Sequence, residues 1–424
     1  MTTLFLVGAT AGISTQLGPV GGGVRILEHL LETLPASTSA SVVKIYANST
    51  DQRASCSWGE SIGLKVPILE DSSAEQLIHL SELQYSRFSC EFERASTDFL
   101  LKTAKTGDLI FINDISEGPN FSKLAQAGFI IVPLFHIAVA DFFCKLYLRD
   151  LFSAPRVTHF FHFLEEKLGR WSIPKLLQLV FSKERDAVQT GSLLIVPSEG
   201  IKQALLACYG VRHEPKIKVV PWNLVEIPHF PEGQLLQEMQ RIRECYQLQS
   251  GEQMWMTLSR ISWEKGLDIL LEALEQLPED FPFRLFICGE AAYMGGKKYL
   301  QKLKKKAKSF GKKVEFPGYV QGVTKEAFFQ LAHLFLSTSH YEAYGLTLQE
   351  AILHHLPILS LDHYGARQQE AFLTLLSAKT RREKVRCLAQ SLQNPPRLKS
   401  EMLPENLPSA TQQILGQLKA IHAL

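Results

Sequence analysis

Short apolar runs alternate with amphipathic stretches along most of this chain. Runs of four to six apolar residues are too short for core helices and read as strands buried on both faces. The amphipathic stretches between them read as the helices that cover those faces. A first series of strands is read at 3–7, 42–46, 109–113, 129–135, 193–196 and 218–220. A second follows at 254–258, 284–288, 314–316, 334–337 and 358–361, with helical patterns at 266–276 and 325–332 between, and no strand is read beyond 361. The fold class is therefore α/β, two doubly wound Rossmann-like domains, with the crevice between them as the default ligand site. The domains are placed at 1–225 and 226–400, where Pro228, Pro231 and Gly233 break the periodicity at the boundary, with a helical segment in 401–424 after them.

A length of 424 residues gives room for two buried cores, and 46% hydrophobic against 21% charged residues is an ordinary globular balance. Lys+Arg 45 against Asp+Glu 43 excludes a chain whose whole surface grips nucleic acid, so no nucleic-acid partner is expected. Seven scattered cysteines with no C-x-x-C suit reduced thiols and offer no metal site. The N-terminal Leu4 to Val7 burst reads as a first strand rather than a signal peptide, and no segment reads as a membrane span. A cytoplasmic protein is expected, with contact on the inner face of the membrane left open.

Two glycine signals fail. The turn Gly8 to Ser14 resembles a dinucleotide turn, but its last glycine is Ser14 and the Tyr-x-x-x-Lys partner occurs only at Tyr293 and Lys297. A P-loop around Gly296 and Lys297 lacks both its first glycine and its Ser/Thr. A third, Gly18 to Val24 with Gly21, Gly22 and Gly23, precedes an amphipathic pattern at 25–34. Glycines there let backbone N–H groups approach an anion at a helix start. Alone, it is equally a turn into a helix.

The second domain adds more. Ser339 to Ala351 reads as strand end, loop with Glu342, turn at Gly345 and helix from Leu346, with Glu350 about a turn into it. Two carboxylates so placed can hold sugar hydroxyls at two points. In Ser259 to Gly266, Arg260 offers a planar fork and Lys265 a point charge, which together neutralise a diphosphate without a metal. All fall at expected strand C-termini facing one crevice.

These residues together resemble the GT-B fold retaining glycosyltransferases of glycosyltransferase family 4. The E-x7-E signature matches Glu342 and Glu350, the Arg/Lys pair Arg260 and Lys265, and the glycine loop Gly21, Gly22 and Gly23. Ile287 to Glu290, Phe316 to Val320 and Leu356 to Ile358 agree at further turns. The resemblance implies transfer of a sugar from a nucleotide-diphosphate sugar to a sugar or lipid-linked acceptor, with retention and without a cofactor or an obligatory metal. It implies that Arg260 and Lys265 bind the diphosphate, Glu350 the ribose, Glu342 the donor sugar, and the backbone around Tyr344, Gly345, Leu346 and Thr347 a phosphate. Tyr319 and Val320 would border the base, and His136 would serve as the active-site histidine. It also implies that the 410–422 helix packs back on the first domain. His363 to Gln368 departs from the family's pattern.

Three features stay open at the sequence level. The aromatics of 142–181, interleaved with Lys145, Arg149, Lys167, Arg170 and Lys175, read as core or as a surface resting on an anionic membrane. The lysines of 297–313 fit a solvated helix face or a docking surface. A catalytically silent partner or glycan-binding subunit is the alternative to an enzyme, and the intact Arg260, Lys265, Glu342 and Glu350 argue against it.

Overall fold

In a computed structural model of the chain, which describes residues 3–12, 22–34, 40–69, 81–223, 227–292, 295–399 and 408–421, the apolar runs form parallel sheets. The chain divides into two compact units: Met1–Leu224 with Pro408–Leu424, and Val225–Leu407.

The first unit holds β1 (Thr3–Val7), β2 (Ser41–Asn48), β3 (Gln52–Cys56), β4 (Gly59–Lys65), β5 (Leu109–Ile112) and β6 (Ile130–Pro133), in the order β3-β4-β2-β1-β5-β6. Leu4 pairs with Val42 on one side and Leu109 on the other, all parallel. All four side chains of β5, Leu-Ile-Phe-Ile, are buried, as a central strand covered on both faces requires. A short pair, β7 (Leu194–Val196) and β8 (Ile217–Val219), runs parallel beyond β6, and Leu134 bridges to Ile195. The Gly22–Thr33 helix buries Ile26, Leu27 and Leu30, and packs against the Ala410–Ile421 helix, which buries Ile414, Leu415 and Leu418. The Ala410 N–H donates to Asn223 O at 3.4 Å where that helix begins.

The second unit holds β9 (Gln253–Leu258), β10 (Phe283–Cys288), β11 (Val314–Gly318), β12 (Leu334–Ser337), β13 (Ile358–Leu361) and β14 (Thr374–Leu376), ordered β11-β10-β9-β12-β13-β14 and parallel throughout. Its two apolar cores show why the strands read as unbroken runs. Trp255, Leu285, Ile287, Leu334 and Leu336 enter one core, while Met254, Met256, Phe286, Cys288 and Phe335 enter the other. Successive side chains point to opposite faces, and both faces are covered.

Three strands depart from the sequence reading. β3 is Gln-Arg-Ala-Ser-Cys, exposed at every position, and runs antiparallel to β4 as a polar edge. β4 carries Gly59 and Gly63, which interrupt its apolar pattern. β14 corrects the expectation of no strand beyond 361: three half-buried residues pair parallel with β13. All seven cysteines are free thiols. No helix among the described residues is long and apolar enough to cross a membrane.

Candidate active site

In the second unit, polar groups gather where β9 and β12 end. After β9 the chain passes Ser259 and Arg260 into a tight turn, Trp263–Lys265, and then Gly266 at φ 61° opens the Leu267–Leu274 helix. A Cβ on Gly266 would lie 2.1 Å from Thr338 O, so only glycine lets this turn press against the chain leaving β12. The Thr338 hydroxyl donates to Lys265 O at 2.9 Å and fixes the register of the two segments. Lys265 is thereby aimed at Glu342, and its ammonium donates to Oε2 at 2.5 Å.

Burial pushes the Glu342 carboxyl up, but Lys265, with Arg260 adding, outweighs it and holds the group below the usual carboxylate range. Arg260 is less tightly held: its Nη2 lies 3.8 Å from Glu264 Oε1. Glu264 also accepts from the Ser262 hydroxyl at 2.5 Å, which keeps it in place at the turn.

Gly345, at φ 83°, starts the Leu346–Leu353 helix, and no side chain caps that start. The first backbone N–H groups, with the positive end of the helix, are therefore turned to whatever lies in front of them. A shallow open recess lies there, lined by Lys265, Glu342, Gly345 and Thr347, with Ser259 and Ser337. Thus four of the sequence-predicted residues share one recess. Leu346 is half-buried at its edge of the helix.

The other carboxylate stands apart from that lining. Glu350 is buried and accepts from Lys325 Nζ at 2.8 Å, on the Gly322–Leu331 helix, so each carboxylate has its own lysine. Lys325 was not singled out by sequence reasoning; its only signal was a place in a helical pattern. Tyr319 is exposed where β11 ends, whereas the neighbouring Val320 side chain lies in an apolar core. Tyr344 is buried, which pushes its phenol up, and its carbonyl accepts from Gln369 Nε2 at 2.7 Å.

His363 and Gln369 also escaped sequence reasoning. His363 Nδ1 accepts from Ala366 N at 3.0 Å, which places the ring proton on Nε2, facing the hydroxyls of Ser337 at 3.1 Å and Ser360 at 3.3 Å. Burial pulls His363 down to about 4 against the raising effect of Glu342, with Lys265 lowering it further, so it stays neutral. The same is true of His340, pulled to about 4 chiefly by burial.

In the first unit, Gly22 opens the Gly22–Thr33 helix and Gly21 lies outside the described residues. A Cβ on Gly23 would lie 2.6 Å from His136 Nε2, so the predicted glycine and histidine are brought into contact. Asn113 Nδ2 donates to Gly23 O at 3.1 Å from the end of β5. Both ring nitrogens of His136 are buried without a hydrogen-bond partner among the described residues, as is Asn113 Oδ1. Trp222 meets the imidazole edge-on at 4.8 Å. Burial lowers the His136 pKa, with Asp114 opposing. Among the described residues, no group of three His, Cys, Asp or Glu side chains is placed to hold a metal ion.

Residues 238–371 match the family model described as Glycosyl transferases group 1. The match lies wholly within the second unit. Arg260, Lys265, Tyr319, Glu342, Glu350 and the unforeseen Lys325 and His363 all lie within it. The chain is similar to an alpha-monoglucosyldiacylglycerol synthase of Streptococcus pneumoniae, 29% identical over 197 residues, which cover 46% of this chain and 41% of the relative. The chain spans less than half the length of the curated relatives it matches. Its fold resembles that of a sucrose-phosphate synthase from Thermosynechococcus elongatus, at TM-score 0.65 and 14% identity over 99% of this chain and 94% of the other. It also resembles Anabaena HepE in complex with UDP-glucose, at TM-score 0.55 and 16% identity over 98% and 95%. These structural neighbours share the GT-B fold with this chain.

Proposed function

We propose that the protein is a retaining glycosyltransferase, moving a sugar from a nucleotide-diphosphate donor to an acceptor hydroxyl without an obligatory metal ion. The observation that carries this reading is the convergence of Lys265, Glu342 and the uncapped helix start at Gly345 on one recess. Lys265 and Arg260 take the diphosphate, and the N–H groups of Leu346 and Thr347 take a phosphate oxygen. Glu342 holds the donor sugar, Glu350 the ribose, and Tyr319 with the Val320 backbone borders the base. Tyr344 and Gln369 keep the loop in shape.

In the reaction the bond from the sugar's anomeric carbon to the phosphate oxygen breaks, and the acceptor oxygen bonds to that carbon on the same face. The acceptor proton passes to the departing phosphate. Negative charge grows on that phosphate as it leaves, so Lys265, Arg260 and the helix start stabilise the transition state more than the ground state. Lys265 exchanges part of its bond with Glu342 for the phosphate when donor enters. A sugar or a lipid-linked alcohol serves as acceptor, and the likeness to a monoglucosyldiacylglycerol synthase supports the lipid class.

Calorimetric titration with UDP, GDP and ADP sugars, with and without EDTA, tests the donor site. One sugar nucleotide is expected to bind with EDTA present, and NMR of the product to show the donor's anomeric configuration. Absence of binding by every sugar nucleotide, or an inverted product, overturns the reading.

A further inference from the structure

The Ala154–Leu168 helix buries Ala154, Thr158, Phe161 and Glu165 against the first unit. Its opposite side should be polar, yet Phe160 is 62% exposed and Phe163 53%. With Arg156 and Lys167 they recur at i, i+4, i+7 and i+11, which is one outward stripe. The turn before the helix continues it: Leu151 is 77% exposed and Phe152 61%. Arg149 and Asp150 hold that turn at φ 52° and 58°, left-handed values unfavourable for residues with a Cβ.

This is not the scatter of single apolar residues normal on a protein surface. Seven of the fifteen large apolar side chains exposed among the described residues lie between Tyr147 and Leu176. The exposed charges on that stretch are Arg149, Arg156, Lys167 and Lys175 against Asp150 and Glu166, an excess of two positive charges, 4 − 2. Arg149 and Arg156 have no carboxylate partner among the described residues. The Lys167 ammonium lies 5.8 Å from the centre of the Phe163 ring.

A protein partner would segregate an apolar centre from a charged rim. Here cations and aromatic rings alternate along a single stripe, which suits a surface where acyl chains and anionic phosphates meet at one depth. Rings and leucines enter the acyl boundary there while the longer cationic side chains reach back to the phosphates.

We propose that the Arg149–Phe152 turn and the outward stripe Arg156, Phe160, Phe163 and Lys167 dock this protein on an anionic lipid bilayer. The test is cosedimentation of the full chain with vesicles of phosphatidylcholine alone and of phosphatidylcholine with phosphatidylglycerol. Binding is expected to the anionic vesicles and to weaken as salt rises. Phe160→Ser with Phe163→Ser is expected to lower partitioning about tenfold or more, and Arg156→Gln with Lys167→Gln to remove most of the preference for anionic lipid. Circular dichroism and thermal unfolding of both variants are expected to match the parent, because the four side chains face solvent.

Failure of the parent chain to sediment with anionic vesicles overturns the proposal. So does equal binding by the serine variant, or a concentration-dependent dimer that the serine substitutions dissolve, which would make a second copy the occupant. Vesicle binding is read without donor or acceptor, so its loss and a loss of sugar transfer are separable.

Discussion

A methyl group on Gly23 would lie 2.6 Å from Nε2 of His136 and 2.9 Å from its Cε1. The glycine is there because the imidazole fills the space a side chain would need, a close approach rather than a positive φ. Gly23→Ala is expected to cost about 1–3 kcal/mol of stability in urea unfolding, the usual range for overpacking. Because the two residues touch, the cost is expected to shrink when His136→Ala is added, in a double-mutant cycle. Additive effects would mean that the backbone of the helix start shifts instead.

Lys265→Ala removes the cation that holds Glu342. A fall in kcat/KM of about a hundredfold or more is expected, with weaker donor binding by calorimetry, since one donor to the developing charge is lost. Lys265→Arg keeps the charge but not the compact ammonium, and partial activity is expected. Parent-like turnover in the alanine variant would remove Lys265 from the site.

Glu350 and Lys325 are both shielded, at 5% and 17% side-chain exposure. Lys325→Ala removes the cation beside a buried carboxylate, and a loss of up to about 3–5 kcal/mol is expected in thermal or urea unfolding. Lys325→Ala with Glu350→Gln is expected to recover much of that stability without recovering turnover, which separates the structural cost from the ribose contact.

Glu184 lies fully buried in the first unit, accepting from the N–H groups of Val139 at 2.5 Å and Ala140 at 3.1 Å and from the Tyr209 hydroxyl at 2.8 Å. Burial pushes its carboxyl up to about 7 despite those bonds. Between about 4.5 and 7 the folded chain keeps a proton that the unfolded chain has released, so this group's contribution to stability falls as pH rises through that window. Glu184→Gln is therefore expected to gain on the parent, by an amount on the order of 3 kcal/mol, between about pH 5 and pH 8. His340 and His363, held near 4, act in the opposite sense, adding stability as pH rises through the histidine range. They are present in both proteins and cancel in the difference. A pH-independent difference by urea unfolding would refute the assignment.

Legibility followed burial. β5 and β9 could be read because apolar residues on both faces leave an unbroken run. β3 could not, because an edge strand with no buried side chain has no apolar signature, and β14 is too short to show one. Arg260, Lys265 and Glu342 stood out because they follow strand ends, and Glu350 because it falls eight residues after Glu342, in the spacing of the family that the sequence resembles. Lys325, His363, Gln369 and Asn113 did not, because each acts on a residue far away in sequence, through packing that no local pattern encodes. The aromatic stretch 142–181 divides by residue: Phe161 and Phe181 are core, while Phe152, Phe160 and Phe163 face outward.

The Ala410–Ile421 helix belongs to the unit that begins with β1, and some 180 residues of the other unit lie between them. On the ribosome, at roughly 5–20 residues per second, the whole second unit is made before the partner of the Gly22–Thr33 helix exists. Until then the Gly22–Thr33 helix lacks this neighbour, for about ten seconds or more at these rates. The first unit is thus completed only after the whole of the second has been synthesised.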